Sequence, residues 1–212
     1  MFIGSTFDGG LKEVVPAFAE NRELPDSWVV VAIWAHNEPF SGLYQARDCL
    51  DRRVGRLSIV EIHDTLAYLL GSWVVERSID DHRNASGGTF VGVSQLSPDP
   101  SLMTGGVVER AIYDEQGELQ LGDHVGSARR RLEYRSKDDG SVSLFFLDGR
   151  HFVDLNLSSG TCEDTHFCAP DTYRIKIVAG SMCSFEEHWH VVGPHKDYEA
   201  ITTYTRVSGD VV

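Results

Sequence analysis

The densest group of reactive side chains in the chain is His166-x-Cys168-x-x-Asp171-x-Tyr173. His166, Asp171 and Tyr173 are donor and acceptor types. Held together at a strand turn, they would suit acid–base work on a bound substrate, as in a cyclase, isomerase or hydrolase. A Cys168–His166 nucleophile pair is disfavoured. Same-face neighbours on a strand diverge, and a thiolate needs its base within hydrogen-bond reach; a thiol acting as a small hydrophobe is commoner. His166 and Cys168 with His188 and His190 have the residue types of a zinc or iron site. Such i, i+2 pairs are common on exposed strands, so no metal is assigned. The sequence leaves the cofactor open.

The second group is cationic and phenolic. Arg77 lies four residues after Trp73 and shares its face on a strand. If that face is interior, Arg77 requires a carboxylate from Asp171, Asp197 or Glu109, or from a ligand. Tyr134, Tyr173, Tyr198, Tyr204, Lys196 and Arg206 complete the expected ligand contacts. Gly193 and Pro194 fix the turn into the last strand. Lys196 either pairs with Asp197 at the surface or stands with Tyr198 at the mouth of a cavity.

These residues need elements to hold them. Ile62, Leu66, Leu69 and Leu70 have helical spacing, with Asp64 near the start and Gly71 as the stop. Ten strand-like segments follow, at 73–80, 89–95, 107–114, 128–135, 141–147, 152–157, 162–168, 172–179, 184–192 and 198–207. Tight-turn signals such as Asp148-Gly149 and Ser159-Gly160 separate them. Period two is plain at 172–179, where Tyr173, Ile175 and Ile177 share one face while Arg174 and Lys176 share the other. With no second helix to build crossovers, consecutive hairpins make a meander, and closure removes its exposed edges. The fold class is therefore mainly β, a closed antiparallel up-and-down barrel with a short leading helix. Phe145, Phe146, Phe152 and Leu155 read as core or cavity wall. Residues 1–58 read as a small βαβ-like appendage and linker, and 59–212 as the barrel domain.

The chain of 212 residues carries a formal charge of −13, which argues against nucleic acid and anionic membrane as partners. Arg129-Arg130-Arg131 alternates faces and reads as solvated rim. No basic, apolar leader opens the sequence, and its most apolar run, Trp28–Ala35, is too short to span a bilayer. A cytoplasmic location follows, in which Cys49, Cys162, Cys168 and Cys183, lacking C-x-x-C spacing, would be free thiols.

The stretches LLGSWVVERSIDD (69–81), HFCAPDTYR (166–174), WHVVGPHKDY (189–198) and TTYTR (202–206) resemble an uncharacterised domain-of-unknown-function family, number 6314, whose members are calycin-like barrels. The resemblance over about 63–206 implies that fold and a ligand cavity, and no reaction. Gly71-x-Trp73 is also similar to the opening of lipocalins and fatty-acid-binding proteins, in which a basic side chain on the last strand covers the tryptophan. That likeness gives Arg206 a structural place over Trp73. Fatty-acid-binding barrels hold the ligand's acid with Arg-x-Tyr; Tyr204-x-Arg206 reverses the order, so only one of the two is expected to touch ligand. The N-terminal stretch is faintly similar to the first βαβ unit of glucose-6-phosphate dehydrogenases, with its phosphate loop broken, and no working NADP site is expected. The expectation is a barrel binding a small molecule that is apolar with one anionic or polar end, or else a barrel enzyme using His166, Asp171 and Tyr173.

Overall fold

The computed structural model describes residues 62–207, with 85, 105 and 106 excepted. The expected βαβ-like appendage over 1–58 lies outside the described residues.

Strand periodicity dictates the architecture. In chain order the elements are helix α1 (Thr65–Leu69) and strands β1 (Gly71–Asp81), β2 (Ser86–Pro98), β3 (Met103–Thr104), β4 (Val107–Val108), β5 (Arg110–Leu121), β6 (His124–Ser136), β7 (Val142–Phe145), β8 (His151–Leu155), β9 (Thr161–Cys168), β10 (Asp171–Ser181), β11 (Ser184–Val192) and β12 (Asp197–Arg206). Along β10 the burial alternates, with Tyr173, Ile175 and Ile177 inside. The same alternation in β1 sends Trp73, Val75, Arg77 and Ile79 inward. Ten strands form one antiparallel sheet in the order β8-β7-β6-β5-β2-β1-β12-β11-β10-β9, and β3 and β4 form a separate small hairpin. The first and last strands of the meander pair directly, Trp73 opposite Arg206 and Asp81 opposite Tyr198. A barrel of this kind buries one face of every strand around a single core.

Two details differ from the sequence reading. Val107 and Val108 belong to the β3–β4 hairpin, and β5 and β6 run on well past residues 114 and 128 to a tight turn at Gly122-Asp123. This extension, Gln116 to Gly126, is polar and half exposed, so it lacks the apolar alternation that marks a strand in sequence. It bends over a pair of facing glycines. Gly92 opposes Gly117, and the Phe90 ring fills the space over both, its Cζ within 2.8 Å of either missing Cβ position.

The barrel closes in two ways. At β1–β12 it closes with a full ladder. Between β8 and β9 no ladder forms, and side chains of β9 reach the backbone of the facing segment instead. Asp164 Oδ2 accepts from the Asp154 N–H at 2.7 Å, and Cys162 Sγ accepts from the Asn156 N–H at 3.3 Å. His166 hydrogen-bonds to the Phe152 backbone. These three side chains share one face at i, i+2 and i+4, so they satisfy edge groups that would otherwise be left bare.

Helix α1 covers one end. Asp64 caps it by accepting from the Ala67 N–H at 2.9 Å. Thr65 ties it to the barrel, donating its N–H to Gly140 O and accepting the Leu157 N–H on Oγ1. Leu66, Tyr68 and Leu69 are buried beneath it.

Candidate functional site

At the end covered by α1, Arg206 is spent on structure. Its guanidinium lies 4.0 Å from the Trp73 ring centroid and donates to the carbonyls of Met182, Leu70 and Tyr68 at 3.0, 2.6 and 2.6 Å. Trp73 Nε1 donates to Leu69 O, and the Phe185 ring packs edge-on at 4.8 Å. Neither member of the Gly71-x-Trp73 and Arg206 set has a polar group left for a ligand at this point.

Strand alternation then carries a charged layer into the middle of the barrel. Arg77 makes a fork-to-fork pair with Glu115, at 3.1 and 2.8 Å, and its Nε donates to Thr202 Oγ1 at 2.8 Å. Its partner is therefore Glu115, and not Asp171, Asp197 or Glu109 as the sequence suggested. Arg130 is the middle residue of a triple-arginine run and is buried, contrary to the solvated-rim reading. Only Arg129 and Arg131 stay outside, on Asp114. Alternation alone explains this, because β6 places every second residue inward and Glu115 lies directly opposite. Arg130 Nη2 reaches Glu115, Tyr113 and Tyr204 at 3.2, 3.2 and 3.0 Å, and Nη1 lies 3.6 Å from Glu187. Burial pushes the Glu115 carboxyl up, but Arg130 and Arg77 outweigh it and hold the pKa at about 2. Burial raises the phenols of Tyr113, Tyr134 and Tyr204, so they remain neutral.

Between this layer and α1 lies an interior cavity of about 20 Å³. Leu69, Trp73, Leu96, Leu155, Ile177 and Phe185 make its apolar wall, and Tyr113, Tyr134, Tyr204 and Glu187 its polar one. This is room for a single water molecule, which needs roughly 10–15 Å³ by the same measure. Two of the polar groups are incomplete. Glu187 Oε1 accepts from Trp189 Nε1 at 2.7 Å and faces Arg130, while Oε2 has no hydrogen bond to any described residue. The Tyr134 hydroxyl has none either, although the residue is only 7% exposed. Ser94 Oγ, in register with Glu115, is a buried polar atom with no hydrogen bond among the described residues.

The opposite end is the mouth, where a cation, a carboxylate and a phenol close on one another. Lys196 Nζ donates to Asp171 at 2.6 Å and to the Tyr173 hydroxyl at 2.7 Å. The expected Lys196–Asp197 pair is thus replaced. Asp197 instead lies near His82 and His190. Burial lowers the Lys196 pKa, but the bonds to Asp171 and Tyr173 raise it further, so the ammonium stays charged. Gly193 is required here, because any Cβ would overlap Asp171 Oδ1. The adjacent Pro194 carbonyl takes a hydrogen bond from Arg83. Tyr198 is buried beside Tyr173.

The proposed acid–base trio is not assembled. His166 sits on the same inward face as Tyr173, with ring centroids 6.1 Å apart, and makes no hydrogen bond to Asp171 or Tyr173. It packs on Phe146 and Phe152, and burial lowers its pKa. Its polar role is in the β8–β9 seam. Among the described residues no group of three or more His, Cys, Asp or Glu is arranged to hold a metal ion, and no helix is long and apolar enough to cross a membrane. Cys162 and Cys168 are free, whereas Cys183 is disulfide-bonded, which corrects the reading of four free thiols.

Glu115 and Glu187 were missed. Both were findable: 187 shares the period-two face of Phe185 and Trp189, and 115 continues the face of Ala111 and Tyr113.

No curated protein matches the sequence. Among solved structures, the S-type phycobiliprotein lyase CPES from Guillardia theta aligns at 12% identity and a TM-score of 0.49, over 66% of this chain and 89% of that one. A redesigned β-barrel, mFAP0, bound to DFHBI aligns at 16% and 0.37, over 66% and 99%. A DUF3598-family protein of unknown function from Nostoc punctiforme aligns at 9% and 0.34, over 68% and 49%. The model of a family of unknown function, DUF6314, matches residues 69–206. That match spans well over half of the 212 residues and runs from the cavity wall at Leu69 to Arg206, so the chain belongs to this family.

Proposed function

We propose that the barrel binds a small, mainly apolar molecule whose polar end reaches the Tyr134–Glu187 side of the interior cavity. The observation that carries the reading is the pair of polar groups, Glu187 Oε2 and the Tyr134 hydroxyl, that face a small interior cavity without a hydrogen bond to the described residues. Buried polar atoms are almost always hydrogen-bonded, and an unmade bond to a desolvated group costs about 1–3 kcal/mol. A bound polar group relieves that cost at the place where the apolar wall begins.

At about 20 Å³ the cavity admits a water and no more, so an organic molecule must displace part of the wall. Leu155 is the wall residue nearest the β8–β9 seam. It lies on β8, whose free edge meets β9 through side chains and not through a ladder. The expected ligand contacts Arg77 and Arg206 drop out of this reading because their donors are already engaged. Tyr134 and Tyr204 stay in it.

The test is native mass spectrometry of the full chain purified from cells, beside Ile177→Phe, which fills the cavity. Retention of a compound by the parent chain and its loss from the variant is the expected result. A chain that carries no compound, and whose crystal structure keeps a sealed, water-sized cavity in the presence of aromatic probes, would refute the proposal.

A further inference from the structure

We infer that the molecule admitted to this cavity presents an N–H or O–H donor to Glu187, and not the carboxylate that a fatty-acid-binding barrel would hold. The inference rests on the binding reading above and fixes the chemistry of the ligand's polar end.

The cavity wall contains one charged side chain, and it is an anion. Glu187 is 6% exposed, its Oε1 is taken by Trp189 Nε1, and its Oε2 has no hydrogen bond among the described residues. No cationic side chain lines the space. Neither interior arginine lines the space itself. Arg77 is committed to both oxygens of Glu115 and to Thr202, and Arg130 to Glu115, Tyr113, Tyr204 and the Oε1 side of Glu187. Arg77, Arg130, Glu115 and Glu187 together sum to zero charge, so the layer holds no excess cation to neutralise an incoming acid.

The hydroxyls agree with this polarity. Tyr113 already donates to Glu115 Oε2 at 2.7 Å, and Tyr204 accepts from Arg130. Tyr134 is the remaining phenol, its hydroxyl without a hydrogen bond to the described residues, and it can donate to or accept from a ligand. A ligand carboxylate would meet one donor, Tyr134, and one desolvated anion, Glu187, at close range in a medium of low dielectric. A ligand N–H or O–H completes Glu187 Oε2 with a charge-assisted bond, roughly twice as strong as a neutral one. Its second site can then engage Tyr134.

The experiment uses probes that share one ring and differ only in the end group: benzylamine, benzyl alcohol, benzoate, and toluene without a polar end. Binding to the full chain is followed by amide and indole chemical shifts in an NMR titration, Trp73 and Trp189 being the reporters nearest the cavity. Benzylamine and benzyl alcohol are expected to bind at least about tenfold more tightly than benzoate. Glu187→Gln should erase the advantage of benzylamine over benzyl alcohol and bring benzoate level with them. Tyr134→Phe, which removes no existing bond, keeps the protein folded and should retain the order of the probes while weakening all the polar ones. Benzoate binding as tightly as the amine, with toluene also bound, overturns the donor assignment and leaves the binding reading standing. Failure of all four probes, toluene included, removes both.

Discussion

The cavity under α1 and the mouth around Lys196 are built from the same residue types and finished differently. At the mouth one cation, one carboxylate and one phenol close on each other, Lys196 with Asp171 and Tyr173. In the cavity Glu187 Oε2 and the Tyr134 hydroxyl make no hydrogen bond to the described residues. Complete polar groups hold a loop in place. Those that face the small cavity leave a position that a further polar group fills in the proposed reading. Between them Arg77, Glu115 and Arg130 form a hydrogen-bonded, charged layer across the barrel centre.

The largest expected effect tests that central layer. Glu115→Leu strands two buried guanidinium groups, Arg77 and Arg130, in the barrel centre. Removing one member of a buried pair typically costs about 3–5 kcal/mol. The same kind of deletion at the mouth, Asp171→Leu, leaves Lys196 with Tyr173 and a route to water, and should cost well under half as much. Urea unfolding of the two variants side by side makes the comparison. Equal losses would mean that the central layer is no more load-sharing than the rim.

Acid sharpens the same contrast. The Glu115 carboxyl is held at about 2 in the folded chain, against 4.5 for the ordinary group. Its folded value is the lower one, so its contribution is fully present above about pH 4.5 and is lost as pH falls toward 2. That shift is worth on the order of 3 kcal/mol. Asp154, held down by Lys137, Ser143 and His151 against the effect of its burial, loses stability in the same direction. Urea midpoints taken from pH 6 to pH 2.5 should fall most steeply below pH 4.5, and the slope should flatten in Glu115→Leu. A parental curve as flat as the variant's would remove Glu115 as the acid-sensitive group.

The mouth gives the third prediction. Lys196→Met leaves Asp171 and Tyr173 without their shared donor at a partly buried site. The expected loss is about 1–2 kcal/mol, with no change in probe binding at the cavity. The seam gives the fourth. Asp164→Ala frees the Asp154 N–H, costs about 1 kcal/mol, and should speed hydrogen exchange at Asp154 while leaving Val75 and Tyr204 on the β1–β12 ladder protected. Exchange rising equally at both junctions would show that the two closures open together.

Most of the barrel was legible because its strands alternate. Tyr173, Ile175 and Ile177 announce an inner face, and Trp73 opposite Arg206 joins the two ends of the meander. What alternation does not reveal is which charges meet across the interior. Arg77 could be placed inside, but its partner Glu115 sits on a strand separated from β1 by β2, so their contact depends on strand stagger and not on spacing. The triple arginine misled for a related reason: a run of like charges reads as surface, while period two drives its middle member inward. His166 was noticed for its chemistry, yet the absent ladder between β8 and β9, a property of the backbone, gives it a structural task. The texture of 1–58 was read as a separate appendage, and that expectation stands as a proposal for the domain boundary.

The smallest expected effect is the most direct on the cavity. Tyr134 is a buried tyrosine in a charged neighbourhood, where losing a hydroxyl normally breaks a bond and costs stability. Here the Tyr134 oxygen makes no hydrogen bond to the described residues, while the ring packs against Tyr113 at 5.9 Å. Tyr134→Phe keeps the ring and removes only a polar atom from an apolar-walled space, so stability should change by no more than about 0.5 kcal/mol, with a gain as acceptable as a loss. Tyr204→Phe is the control, because its hydroxyl accepts from Arg130 at 3.0 Å and its removal takes away a real partner. Comparable destabilisation in the two variants would show that the Tyr134 hydroxyl is already satisfied, for instance by a fixed water. Neutrality in Tyr134→Phe beside a clear loss in Tyr204→Phe means that the Tyr134 hydroxyl has no bond to lose and is free to meet a ligand.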